Sequence, residues 1–372
     1  MTRRDIILGG LRALGIVIVG SWPGDWLKVR SLADWKGDLH VYQAYAQACI
    51  TKLMGWYNPN TGLWNTTGWW NSANSLEALI TYARLTGNHQ YDNLIENTYN
   101  QARSQMVPGG VPFSANYYDD ELWWCIALIA AYDYLKEDKF LNAAITLFHD
   151  CGYAVDDVCG GGLWWDRQHT QKGSTENLLY IIAACRLYHR TSNWAYADIA
   201  IQTWAWFQDS GLFDKGKLLV YDQFQANCQN TGTTTWTYNQ GLAIGALNEL
   251  SRLSLSGSFG YIMLARGVLQ ASLVRLTSDG ILVEPCEPTN ICSADGPQFK
   301  GVFMRYVSRA APHLGEDVLI HQFVERQVES LWEKARKDNA FGLHWAGPFD
   351  SADASRQTSA LDAFNAAISL GL

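Results

Sequence analysis

Apolar residues return at helical spacing along most of this chain. The periodic segments run over about 34–56, 72–87, 91–106, 120–136, 138–151, 176–190, 194–209, 239–254, 259–276, 298–313, 315–337 and 357–369. Strand-like alternation is scarce between them. Glycine, proline and asparagine punctuate the connections, as at Gly87-Asn88, Pro108-Gly109-Gly110, Gly160-Gly161-Gly162 and Gly257. The pattern predicts an all-α fold of twelve helices.

Every second helix carries the same kind of opening: an aromatic-rich loop, a few polar residues, then an apolar run. The openings are WWNSANSLEALITYA from Trp69, YYDDELWWCIALIAAY from Tyr117, GSTENLLYIIAACRLY from Gly173, WTYNQGLAIGALNEL from Trp236, DGPQFKGVFMRYVSR from Asp295 and SRQTSALDAFNAA from Ser355. They recur about every 50 to 60 residues, one helical hairpin per unit. Six hairpins closing on themselves make an (α/α)6 barrel, with the second helix of each lining the inside. The six openings then converge at one end, where unpaired helix N–H groups and polar side chains surround a cavity. For any single opening, helix capping by Asn, Ser, Thr or Asp accounts for the polar residues equally well.

Composition narrows what such a cavity would hold. The 372 residues include 17 Trp, 18 Tyr and 13 Phe, while only 17% are charged, against roughly 25% in an average soluble protein. Net charge is −8 and the basic residues form no stripe, which argues against a nucleic-acid partner. A neutral ring-shaped ligand fits better, because sugar rings stack their C–H faces on aromatic side chains and hydrogen-bond through their hydroxyls.

Residues 1–31 read as a signal peptide or leader, with Arg3 and Arg4 ahead of an apolar stretch from Ile6 to Gly20. Residues 32–372 then form a single catalytic barrel domain, secreted, with no membrane span and monomer as the expected state. The eight cysteines allow full pairing. Cys151/Cys159 and Cys286/Cys292 read as loop clamps, whereas Cys49, Cys125 and Cys185 sit on apolar helical faces where a free thiol is equally expected. No Cys or His spacing suggests a metal site, and no cofactor is expected.

The second opening concentrates acid groups: Tyr117-Tyr118-Asp119-Asp120-Glu121-Leu122-Trp123-Trp124. Glycoside hydrolysis needs two carboxyl groups, held about 5 to 5.5 Å apart in retaining enzymes. Adjacent residues have Cα atoms about 3.8 Å apart. The retaining distance is therefore within their reach, and the wider inverting distance is harder to reach. Two close carboxyl groups in an aromatic pocket also divide the labour, one keeping its proton while the other stays ionised. The competing explanation is an acidic first turn that caps the helix and complements its dipole.

YYDDELWWCIALIAAYDY resembles the signature of glycoside hydrolase family 76, whose members are endo-α-1,6-mannanases and related fungal wall proteins. The likeness continues in order through WNSANSLEALITYARLTG from Trp70, GGGLWWDRQHTQKGSTENLLYIIAACRLY from Gly160, TYNQGLAIGALNEL from Thr237, FKGVFMRYVSR from Phe299 and QTSALDAFNAA from Gln357. It implies a retaining mechanism on an α-mannan or mannose-containing glycan, with Asp119 as nucleophile and Asp120 as acid/base. Position makes substrate-binding candidates of Trp70, Asn71, Asn74, Tyr118, Trp123, Trp165, Asp166, Tyr238, Gln240 and Lys300. One departure is Lys172-Gly173, where the family more often has Lys-Asn.

Three rival readings remain. A histidine-based sugar epimerase on a similar barrel would need ring nitrogens at the bowl, where only His169 and His344 lie in loops that could overhang it. A transglycosylase would act on the mannose core of lipid-anchored wall glycoproteins; such relatives carry an apolar anchor signal, and the ending NAAISLGL leads instead to an expectation of free secretion. A catalytically silent carbohydrate-binding protein would not need the Asp pair.

Overall fold

The computed structural model describes residues 39–229, 232–253 and 257–372. The leader expected over 1–31 lies outside them. Among the described residues are twelve α-helices: α1 Leu39–Met54, α2 Trp69–Thr86, α3 Asp92–Ala102, α4 Tyr118–Leu135, α5 Asp138–Gly152, α6 Ser174–Thr191, α7 Trp194–Phe207, α8 Thr237–Ser251, α9 Ser258–Arg275, α10 Gly296–Leu314, α11 Asp317–Lys334 and α12 Ala354–Leu370.

The even-numbered helices form a closed ring. Each packs on the next, from α2 through α12, and α12 packs back on α2. All six begin two or three residues earlier than apolar periodicity indicates, because periodicity records burial and their first turns are polar. Those turns are helical because their N–H groups find acceptors in the chain. Asn71 Oδ1 accepts from Gly68 N at 3.1 Å, the Glu176 carboxylate accepts from Gly173 N, and Asp353 Oδ1 accepts from Arg356 N at 2.8 Å.

The pairing of helices differs from expectation in one respect. Two-residue turns at Lys136-Glu137 and Ser192-Asn193 fold α5 tightly onto α4 and α7 onto α6, and α9 likewise packs on α8. Each of these inner helices is thus the first of its hairpin, not the second. The opening outer helix α1 packs mainly on α12, so the two ends of the barrel domain close the circle. Where ring helices approach most closely, only glycine fits: a Cβ on Gly301 would stand 2.5 Å from Ser359 Cα, and one on Gly241 2.6 Å from Phe303 Cα.

Long loops join each outer helix to the next inner one, and all emerge at the end of the barrel where the inner helices start. Several contain a two-stranded antiparallel hairpin, as at Phe213–Asp214 with Leu219–Val220 and Arg336–Lys337 with Ala340–Phe341. Amide side chains on the helices hold the loops. Gln240 receives Val220 N at 2.8 Å and donates to Val220 O at 2.7 Å; Asn177 does the same with Leu163, at 2.8 and 3.1 Å. Two fully buried lysines do similar work. Lys172 Nζ donates to Asp156 and to the carbonyls of Val158, Gly161 and Gly162. Lys300 Nζ donates to Glu287 and Leu343 O at 2.6 Å and to Leu282 O at 3.4 Å.

The expected Cys151/Cys159 clamp is not formed. Cys159 pairs with Cys228, joining two long loops, while Cys151 is a buried thiol inside α5 that faces Glu121. Helical geometry explains the difference, since Cys151 is committed to the α4–α5 contact and cannot turn toward the Gly-rich loop. Cys286–Cys292 forms as expected, and Cys49, Cys125 and Cys185 are free and buried.

Midway along the barrel, the inner helices meet around buried charges rather than hydrocarbon. Arg305 of α10 bonds Asp362 of α12 at 2.6 and 2.9 Å and Asn74 of α2 at 2.7 Å, and it also contacts Glu77. Arg309 reaches Glu77 at 2.8 Å, and Arg186 of α6 bonds Glu249 of α8 at 3.0 Å. Buried charge is tolerated here because each group has an opposite partner and hydrogen bonds.

Candidate functional site

The six first turns gather around the open end of the barrel. Among the described residues, many of the buried polar atoms without a partner lie in those turns: Asn71 Nδ2, Asp119 Oδ1, Asn239 Oδ1 and both amide atoms of Gln298. Protein interiors satisfy nearly all such groups. Their concentration in the first turns of the inner helices marks this end of the barrel as the candidate site.

Asp119 and Asp120 open α4 at this surface, each half-buried. Successive helix residues point about 100° apart, so the third acid of the run leaves the bowl. Glu121 is fully buried behind it, where Arg167 and the Ala115 N–H (3.0 Å) bind its carboxylate. Arg167 also bonds Ala115 O at 2.7 Å and Asp150 at 2.6 Å, and its guanidinium lies 4.9 Å over the Tyr118 ring. Burial nevertheless raises Glu121 to about 8. This apparatus fixes the start of α4, and with it the direction of the two aspartates.

The pair are not equivalent. Burial pushes Asp119 up to about 7, and the neighbouring Asp295 charge adds to the rise. It is held there by donors to its charged form: the Trp165 indole N–H and the backbone N–H groups of Asp119 and Asp120. Asp120 is raised well above the ordinary carboxylate range by burial, then by Asp119, Asp295 and Glu121, with no comparable donors. Asp119 therefore ionises first, and its charge helps Asp120 retain a proton.

Aromatic rings continue the surface. Trp70 lies 5.6 Å from Trp123 and 6.2 Å from Phe299, both nearly parallel, and Tyr238 stacks on Phe299 at 3.9 Å. The Trp70 indole N–H donates to Asp295 at 2.8 Å. Beyond Tyr238, its hydroxyl accepts from Thr175 at 2.8 Å and faces Asp222 at 3.4 Å, and Asn239 faces the same carboxylate at 3.4 Å. Glu176, buried beneath, is raised by burial and by Asp119.

Of the sequence-selected binding residues, the structure brings Trp70, Trp123, Trp165 and Tyr238 to the surroundings of the pair, although Trp123 is almost fully buried, while the Tyr118 ring is buried beneath Arg167 beside Glu121. Asn71 lies there too, half committed to capping. The others are occupied elsewhere. Asn74 is a ligand of Arg305, Asp166 binds Thr170 N and Oγ1 at 2.8 and 2.7 Å to form a turn, Gln240 clamps Val220, and Lys300 is enclosed among carbonyls. These four were chosen for nearness in sequence to the openings. Helical rotation and loop folding direct their polar atoms into the scaffold.

Asp295, Asp222, Glu176 and Phe299 are the residues that sequence reasoning passed over. Asp295 and Phe299 stand within a quoted opening, so their place beside the pair could have been read from the repeat; Asp222 lies in a loop with no local signal. His169 stacks on Trp164 at 4.9 Å, and His344 contacts Glu287 at 3.2 Å. Neither is among the groups that shift the Asp pair.

Residues 42–370 match the model for glycosyl hydrolase family 76. The chain is 28% identical over 261 residues to the mannan endo-1,6-alpha-mannosidase DCW1 of Saccharomyces cerevisiae, and 26% over 268 residues to DCW1 of Candida glabrata. Each match covers 65% of this chain and only 58% of the relative. In structure it resembles the α-1,6-mannanase GH76A of Salegentibacter sp., with TM-score 0.78 at 23% identity, covering 88% of this chain and 99% of that one. An inactive variant of that mannanase, carrying Asn at two consecutive Asp positions, forms a complex with α-1,6-mannotriose. Dfg5 from Chaetomium thermophilum, in complex with glucosamine, also has TM-score 0.78, at 20% identity over 89% of this chain and 90% of that one.

Proposed function

Because the chain belongs to glycosyl hydrolase family 76, we propose that it is a retaining glycoside hydrolase that cleaves α-1,6-mannosidic linkages in mannan. The observation that carries this reading is the unequal setting of two adjacent carboxyl groups on a concave aromatic surface.

Asp119, its charge supported by Trp165 and the α4 N-terminus, is the nucleophile that attacks the anomeric carbon. Asp120 donates its proton to the departing glycosidic oxygen. The resulting glycosyl ester on Asp119 is released when Asp120, now ionised, takes a proton from the incoming water. Trp70, Phe299 and Tyr238 offer ring faces to mannose, and the unpaired atoms of Asn71, Asn239 and Gln298 offer partners for its hydroxyls. In this reading residues 1–31 are a secretion leader and 32–372 one catalytic domain. The Cys159–Cys228 and Cys286–Cys292 bonds favour an oxidising, extracellular setting.

The test is release of sugar from linear α-1,6-mannan. Asp119→Asn and Asp120→Asn should each lower kcat/KM by at least about 10³-fold, roughly 4 kcal/mol of transition-state stabilisation. Proton NMR should show the α-anomer as first product. Unchanged turnover in either variant removes that residue from the mechanism; a β-anomer first product rejects retention.

A further inference from the structure

At the opposite end of the barrel, where the inner helices finish, lies a second polar cavity of about 240 Å³. Asp133, Arg186, His189, Arg190, Glu249 and Arg252 line it, three arginines against two carboxylates. We propose that this cavity is a binding site for a small doubly charged oxyanion of the sulfate or phosphate class.

The two carboxylates are already engaged. Arg190 holds Asp133 through two bonds, and Glu249 receives Arg186 at 3.0 Å and Arg252 at 3.3 Å. Behind the wall, Glu77 is taken by Arg305 and Arg309 and is also reached by Arg186 at 3.5 Å. Arg84, in the last turn of α2, interacts electrostatically with Asp133, Arg186, Arg190 and Arg309. Among the described residues it has neither an ion pair nor a hydrogen bond. Desolvation, then the like charge of Arg309, lowers its proton affinity, while Asp133 opposes the shift.

Helix C-termini carry partial negative charge, which offsets part of the arginine excess. An oxyanion would accept from the spare guanidinium N–H groups. Arg252 and His189 are both partly open to solvent, so an ion can enter.

The experiment titrates the folded protein with sodium sulfate, following heat and thermal unfolding, with ionic strength held constant by sodium chloride. Saturable binding and a rise in Tm are expected, and Arg252→Gln should weaken binding at least 10-fold while leaving hydrolysis of α-1,6-mannan unchanged. A companion titration compares inorganic phosphate with a sugar phosphate monoester; tighter binding of one identifies a free ion or a glycan-borne phosphate as the natural occupant. Absence of saturable heat with wild-type protein, or equal binding by wild type and Arg252→Gln, overturns the proposal. Because the readout is wild-type binding, a variant that fails to fold does not decide the outcome.

Discussion

The two ends of the same six inner helices carry opposite solutions to burying charge. At the open end, Asp119, Asp120 and Glu176 sit close together without a cation among their leading influences, and all three are pushed upward. Toward the closed end, Glu77 and Glu249 are more deeply buried than the Asp pair, yet both are held below the ordinary carboxylate range by arginines. Asp362 is an exception within the arginine network, lifted to about 6 by burial and then drawn back by Arg305. Burial alone therefore does not set a carboxyl group's state; an arginine beside it draws its proton affinity back, past the ordinary range for Glu77 and Glu249 and only in part for Asp362 and Glu121. The open end leaves the Asp pair and Glu176 without a cation as a leading partner, which is costly for folding. The closed end pairs its acids and secures the ring.

The largest break in this comparison comes from removing the central cation. Arg305→Met leaves Glu77 and Asp362 buried without their main partner and should lower the unfolding free energy by about 3–5 kcal/mol in a denaturant titration. A loss under about 1 kcal/mol would mean that the charge cluster is not what joins α2, α10 and α12.

A second measurement sharpens the cost assigned to the open end. With Asp119 near 7 in the folded protein and near the ordinary value of 3.8 when unfolded, the folded state holds the proton longer. Its stability then falls as pH rises from about 4 to about 7 and is flat above. Asp119→Asn lacks this titration, so it should be more stable than wild type at pH 7, by a margin on the order of a few kcal/mol, and near parity at pH 4. Thermal unfolding at the two pH values reads the difference; a variant less stable at pH 7 contradicts it.

The smallest effect separates scaffold from site within the open end. Gln240→Ala removes the amide that serves both Val220 N and O, and should cost about 1–3 kcal/mol of stability. KM for mannan should stay within twofold. A large rise in KM with stability intact would restore Gln240 as a substrate ligand.

How much of this was legible in the sequence follows from the range of each interaction. Helices, their number and the alternating polar openings were legible because burial of one face repeats every 3.6 residues and is written locally. The Asp119-Asp120 pair was legible as chemistry, since adjacency itself limits how far the two carboxyl groups can separate. The Cys159–Cys228 bond was not, because two loops 69 residues apart meet only in the folded barrel. Nor was the scaffold role of Asn74, Gln240 and Lys300, whose nearness to the openings along the chain says nothing about where their polar atoms point.

The sequence by itself determined an all-α barrel with six polar openings and placed a carboxylate pair in one of them. The tertiary structure alone decided which acids stay unpaired. Asp119 is set apart from Asp120 by Trp165, and Glu121 is withdrawn by Arg167, groups that come from other segments of the chain. Proton affinity depends on solvent exclusion and charge in three dimensions, and neither quantity exists until the helices have closed their ring.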